Sequence, residues 1–372
     1  MVKYFAVILL LLFSISCKEK SVTEPGTEKS RSYYLGFSPF PYDITAEAVE
    51  YSYKKISSDA DIIAHHFDDG IPWKEALEDK DFHQNIMADW QYRKTHTPVG
   101  HKVYLAITPI NITRNGLAPY KGEKENMPLP TPWNTYSFNN HDVKTAYLNY
   151  AKRIINYFNP DYVTIGVEVN LLADSDSSMV KWKEYLELHK FVYTQLKKLY
   201  STLPIMVSFT GMDLIDGYTD VNHSSQTKVL NEIINYTDYF GLSMHTFLSK
   251  FLADTIDSAI FKNIFSLSNK PIAICETSYP AEKFSILNNS VVFKGSEEKQ
   301  KKYFELLFSA SETYHVEFII NFVIRDYDAL WEAIGSPDNI EKVWRDTGFY
   351  NEKGTSRKVR DFWLQNLQLK VQ

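Results

Sequence analysis

From Tyr34 onward the chain alternates short, almost wholly apolar runs with longer stretches in which apolar residues recur every three or four positions. The runs are YYLGF (33–37), DIIAHH (61–66), KVYLAIT (102–108), YVTIGVEV (162–169), IMVSF (205–209), YFGLSM (239–244), IAICE (272–276) and FIINFV (318–323). Strands buried on both faces read this way, and strands separated by helix-length segments imply a parallel sheet. Between them, DVKTAYLNYAKRIINYF (142–158) brings Ala146, Tyr150, Ile154 and Tyr157 near one helical face. Similar segments follow the fourth and seventh runs, the second opening on a Ser with acids behind it, as helices start. Eight strand–helix repeats in one chain predict an α/β fold, a (β/α)8 TIM barrel forming a single domain over residues 33–372. A doubly wound open sheet is the other option, but no Gly-rich phosphate loop follows the first run. The Pro-, Gly- and Asn-rich stretch 109–142 is expected to be an elaborated loop on the barrel's active face.

The first residues, MVKYFAVILLLLFSISC, are a lysine, an apolar run shorter than the ~20 residues of a spanning helix, and small residues ending at Cys17. That is the layout of a secretory signal. The SISC stretch resembles a bacterial lipoprotein signal, which implies lipidation of Cys17, and the following KEK resembles signals for the outer cell surface. The expected organisation is a signal peptide over 1–17, a flexible tether over 18–32, and an exported lipoprotein of the outer membrane, anchored to the membrane only by its N-terminal lipid. Cys17 and Cys275 are the only cysteines, so once Cys17 is lipidated no disulfide pair remains. A net charge of −6 without a basic run argues against a nucleic-acid partner.

Chemistry in a barrel gathers at the C-terminal ends of the strands. Glu276 ends the seventh run, and Glu168, flanked by Val167 and Val169, lies near the end of the fourth. A carboxylate there is tolerated only if it faces something polar, such as the pocket mouth. Two acids on strands four and seven are the arrangement of clan A glycoside hydrolases, which the chain resembles along almost all of its mature length. Within the clan it is most similar to family 53, the endo-β-galactanases. VTIGVEVN is similar to their acid/base segment, FGLSM to the strand-six segment and PIAICETSYP to the nucleophile segment, and DTGFYNEKGTSRKVRDFW resembles the closing strand and helix of clan members. The resemblance implies that Glu276 is the nucleophile and Glu168 the acid/base of a retaining hydrolase. The substrate would be a β-linked polysaccharide or oligosaccharide, cut at internal bonds, with the carboxyls roughly 5 Å apart.

The resemblance also implies that His245 is the partner of the nucleophile. In HHFDDGIPW only alternate residues face one way, which selects His66 and Asp68 as sugar-binding, with Trp73 beyond them. Asn170, two positions past Glu168 and so on the same side of a strand, is a candidate for the sugar 2-hydroxyl, because Val167 stands where most clan members carry Asn. Tyr279, Trp133 and Trp331 are candidate stacking surfaces, Phe322 stands near the clan's platform Trp, and Arg325 and Asp326 are either rim groups or a salt bridge. The Arg that family 53 carries close after strand two is absent. No cofactor and no metal is implied, since the His/Asp cluster lacks a third spaced ligand group. Cys275 has no base on its face and reads as a small buried hydrophobe. A non-catalytic glycan-binding lipoprotein on the same barrel is the alternative left open, and Val167 is its motive.

Overall fold

The computed structural model describes residues 30–174, 178–249 and 256–372; the signal peptide, Cys17 and most of the tether lie outside them. Eight parallel strands close on themselves: β1 Tyr34–Phe37, β2 Ile62–Phe67, β3 Lys102–Ile107, β4 Tyr162–Thr164, β5 Ile205–Thr210, β6 Phe240–Met244, β7 Ile272–Thr277 and β8 Val316–Asn321. β8 pairs with β1 from Phe318 against Tyr34, which completes the ring. The main helix after each strand is, in order, α1 Ala46–Asp59, α2 Gln84–His96, α3 His141–Phe158, α4 Val180–Leu199, α5 His223–Ile233, α6 Ala259–Phe265, α7 Glu297–Tyr314 and α8 Lys358–Leu367, with short helices Trp73–Glu78 and Asp328–Ala333 in the loops after β2 and β8. The eight apolar runs therefore correspond one to one with the barrel strands, and the single-domain barrel stands.

Both periodicities are physically accounted for. Along α3, Ala146, Tyr150 and Ile154 are buried as the helical spacing requires, and Asn140 caps the helix by accepting from the Asp142 amide. Ser296 caps α7 in the same way, accepting from the Lys299 amide at 3.3 Å. Strand alternation divides the core in two. Ile62, Ala64, Tyr104, Ala106, Met206, Ala273, Phe318 and Ile320 fill the barrel interior, while Ile63, Leu105, Val207, Ile274 and Ile319 pack outward against the helices.

Two boundaries differ from the sequence reading. The tether ends earlier, because Ser30–Arg31 pairs in parallel with Lys370–Val371, and Arg31, buried, bonds to Asp61 and to the carbonyls of Tyr33 and Leu369. Strand β4 stops at Thr164 rather than running to Val169. Past it, Gly166 passes so close beneath Tyr185 that any Cβ would collide with the phenol hydroxyl.

Candidate active site

The C-terminal mouth holds a cavity of about 560 Å³ lined by Glu168 and Glu276 together with His66, Asp68, Asp69, Arg93, Arg114 and Glu125 on one side. Pro39, Phe40, Pro41, Ile112, Phe322 and Trp344 form an apolar side.

Glu276 reaches this cavity because β7 carries a bulge. Leu242 pairs with Ile274, but the next pair is Ser243 with Glu276, so Cys275 is an extra residue on β7. The β8 side agrees, with Ile319 opposite Ile274 and Asn321 opposite Thr277. Without the bulge, strict alternation would send Cys275 inward and Glu276 outward into the helix layer. With it, Cys275 stays in the barrel core, Glu276 faces the mouth, and Thr277 is outside, where its hydroxyl meets Tyr303 and the Met244 carbonyl. His245 Nε2 lies 2.9 Å from Glu276 Oε1, and His245 Nδ1 lies 2.9 Å from Ser278 Oγ. An ionised carboxylate only accepts, so Nε2 carries the proton. His66 Nδ1 stands 3.8 Å from the other oxygen of Glu276. Burial alone would raise the Glu276 carboxyl, but the His245 hydrogen bond and the charges of His245, His66 and Arg114 outweigh it and hold it below the usual carboxylate range.

Glu168 is built differently. It follows the end of β4 in left-handed backbone, φ 50°, and heads the short helix Val169–Ala173. That conformation costs a non-glycine residue about 1–2 kcal/mol and is found where the surroundings over-determine it. Here the Ser208 hydroxyl accepts from the Glu168 amide at 3.0 Å, the Ser243 hydroxyl donates to Oε1 at 2.9 Å, and Arg114 Nε stands 3.3 Å from Oε2. Arg114 also has φ 52°, and its Nη2 meets Asp68 at 2.8 Å, so one guanidinium spans the acids of β2 and β4. Arg114 belongs to the loop after β3. That loop is docked on the one after β2 through Ile71 N to Pro119 O, Lys121 N to Ile71 O and Asn126 N to Asp69 O.

Of the residues selected from sequence, Glu168, Glu276, His66 and Asp68 line the cavity, and His245 supports it. His65, one position off, turns outward to the Thr97 hydroxyl at 2.8 Å, and burial pushes its imidazole down to about 3. Four other candidates are corrected. Asn170 is not on a strand beside Glu168: the chain has turned into a short helix, and the amide is fully buried, bonded to Gln226 and to the backbone of Thr210. Trp73 is a core residue stacked on Trp133 at 5.4 Å, its indole N–H donated to the Ala118 carbonyl. Tyr279 is buried against Tyr303 at 5.3 Å. Trp331 gives its N–H to Pro337 O and lies between Lys342 and Arg345, away from the cavity. The aromatics that do line it are Phe40, Phe322 and Trp344, the last edge-on to His245 at 5.7 Å.

The two rim candidates differ: Asp326 is in a salt bridge, whereas Arg325 makes a ring contact and donates to the Glu352 carbonyl. Asp326 is buried on Arg357 and the Gly348 amide, and Arg325 lies 3.6 Å over the Tyr42 ring. Asp326, Asp328 and Asp346 bring carboxylate oxygens within 4.8 Å of one another, as do Glu282, Asp326 and Glu352. Arg345 and Arg357 already occupy these clusters, so they form an ion network. Burial pushes the Cys275 thiol up to about 11, which leaves it un-ionised.

Sequence reasoning missed Arg114, Ser243, Trp344 and Glu125. Ser243 was within reach, since it precedes His245 by two positions on an inward-facing strand end. Arg114 carried only a faint signal, an arginine beside Asn-Gly in an active-face loop.

No family model and no curated protein matches the chain. Its fold is shared with solved structures. An exo-β-1,4-mannosidase, Op5Man5 from Opitutaceae bacterium strain TAV5, superposes with a TM-score of 0.60 at 10% identity over 92% of this chain and 60% of that one. A GH5_18 protein from Bifidobacterium longum subsp. infantis gives 0.60 at 12% identity, over 92% of this chain and 79% of that one. A β-D-glucuronidase from Dictyoglomus thermophilum gives 0.51 at 15% identity, over 91% and 51%. The chain thus spans about half to four-fifths of the length of these proteins. What it shares with them is the (β/α)8 barrel.

Proposed function

We propose that the protein is a retaining glycoside hydrolase that cleaves internal β-glycosidic bonds of an extracellular polysaccharide, and that it works as a lipoprotein on the outer membrane surface. The observation that carries the reading is that Glu276 and Glu168 line one cavity with different environments. His245 keeps Glu276 ionised and aimed, as a nucleophile needs. Glu168 is gripped by Ser243 and Arg114. In the first step a Glu276 oxygen bonds to the anomeric carbon as the Glu168 O–H gives its proton to the departing glycosidic oxygen. In the second, water attacks that carbon, Glu168 takes the water's proton, and the ester to Glu276 breaks. The β-glycosidases among the structures of like fold support the bond type. The similarity of three strand-end segments to family 53 supports internal cleavage, and the leader sequence supports the location.

The test is reducing-end release from β-galactans, β-glucans and β-mannans. Wild type is expected to act on at least one, and Glu276→Gln to lose about 10³-fold or more. Glu168→Ala with an activated aryl glycoside is expected to be accelerated by azide, which replaces water without needing a base, giving a β-glycosyl azide. Equal activity of wild type and Glu276→Gln would overturn the assignment. Oligosaccharide products distinguish internal from terminal cleavage.

A second reading, glycan binding without turnover, is favoured by Val167, which lines the cavity next to Glu168 where clan enzymes carry a polar residue. Tight oligosaccharide binding with no product from any substrate selects it.

A further inference from the structure

The charges around the cavity are unevenly matched. Among the described residues three cations stand at or beside it, and each is already held. Arg114 uses Nη2 on Asp68, Nε on Glu168 and Nη1 on the Asn111 carbonyl at 3.2 Å. Arg93 has Nε on Asp89 at 2.8 Å and its guanidinium 4.5 Å over the Phe67 ring. Lys121 contacts Asp69 and lies 3.7 Å from Glu125 and 4.0 Å from Asp89. Against them stand Asp68, Asp69, Asp89, Glu125, Glu168 and Glu276, so that even with Glu168 carrying the proton it donates in the proposed first step, five carboxylates face three permanent cations. The Glu125 carboxyl registers the excess: burial and the neighbouring Asp69 push it up despite Lys121.

The unmet hydrogen-bonding groups point the same way. Asp68 Oδ1, His66 Nε2 and Trp344 Nε1 are buried in the cavity lining without a partner. Buried polar atoms require partners, and a carboxylate oxygen requires a donor. A sugar hydroxyl donates to Asp68 and accepts from the indole N–H. A uronide keeps the ring hydroxyls and its carboxylate can accept from the indole N–H, but that carboxylate cannot donate to Asp68 and adds a further negative charge with no free cation to meet it.

We infer that the cavity takes an uncharged, hydroxyl-rich pyranoside and rejects a uronic acid, the acids Asp68, Asp69 and Glu125 being the groups that exclude it. This rests on the reading of the cavity as a glycoside site. The test measures kcat/KM of the wild type on 4-nitrophenyl β-glycosides of glucose, galactose and mannose and on the β-glucuronide and β-galacturonide. The best neutral substrate is expected to exceed its uronide by about 100-fold or more. Glu125→Lys, a change on a loop side chain that is 60% exposed, is expected to narrow that ratio about tenfold by adding an unmatched cation. A uronide cleaved as fast as its neutral counterpart overturns the inference and leaves the hydrolase reading intact. If no aryl glycoside is turned over, the hydrolase reading still rests on the polysaccharide assay, and calorimetric titration with neutral and acidic oligosaccharides decides the inference. Binding of the neutral one alone supports the inference, whereas equal binding of the acidic one, or binding of neither, overturns it.

Discussion

At Glu276 two opposing effects meet, and the geometry decides between them. Burial disfavours a carboxylate, while His245 at 2.9 Å, His66 at 3.8 Å and Arg114 favour it. Because the balance lies below the usual range, the acidic limb of kcat/KM should fall below the ~4.3 of a free Glu. Removing His245 takes away the largest favourable contribution and leaves burial less opposed, so the limb of His245→Ala should move to higher pH by about a unit or more. The measurement is a pH profile of kcat/KM for both proteins. A variant that merely loses activity at every pH, with its limb unmoved, would make His245 a packing residue instead. The adjacent thiol provides a contrast. With Cys275 pushed up to about 11 and buried at 7% exposure, iodoacetamide at neutral pH should leave it unmodified by mass spectrometry, and activity unchanged.

At the scale of elements, the loop after β3 is a working part of the site. It supplies Arg114 and Glu125 and rests on the loop after β2. Arg114→Ala leaves Asp68 and Glu168 without their shared cation and should lower kcat/KM about 10²-fold or more. Arg114→Lys should recover little, because one ammonium cannot reproduce separate N–H bonds at 2.8 and 3.3 Å to two carboxylates. Rescue by Lys to within a few-fold would show that only net charge matters there. The same loop marks where sequence stops being legible. Period and apolarity located all eight strands, and period two alone chose His66 over His65. Glu276 does reach the cavity although alternation by itself points it outward; the bulge that turns it inward is a property of pairing with β6, invisible in one strand. Asn170 failed for the complementary reason, since extending β4 past Thr164 imposed strand parity on a segment that turns left-handed at Glu168. Aromatics were the least readable, because Trp73, Trp331 and Trp344 have similar local surroundings in sequence, and only packing decides which one meets the cavity.

For the whole molecule, a barrel is only as stable as the seam where its last strand meets its first, and that seam has a polar fastening. Asp59, at the end of α1, is buried with Oδ2 2.5 Å from the Tyr350 hydroxyl and 3.0 Å from Arg360 Nε, and its carbonyl accepts from Trp363 Nε1 at 2.7 Å. Trp363 in turn packs on Phe37 of β1 at 5.0 Å, so one acid joins the start of the fold to α8. Although burial would raise Asp59, its bonds to Arg360, Tyr350 and Ser58 hold it below the usual carboxylate range. A group whose folded value is depressed stabilises above its unfolded value of ~3.9, and that contribution disappears as pH falls through the folded value. Asp59→Ala strands a guanidinium and a phenol and should cost about 3 kcal/mol at neutral pH. In urea this should appear as a lower midpoint with little change of slope. The sign of the linkage adds a stricter requirement: the gap between wild type and Asp59→Ala should be widest at neutral pH and narrow progressively below the ordinary Asp range. A gap that stays constant into acid would mean that the loss comes from packing around Trp363, and that the charge of Asp59 contributes nothing to closing the barrel.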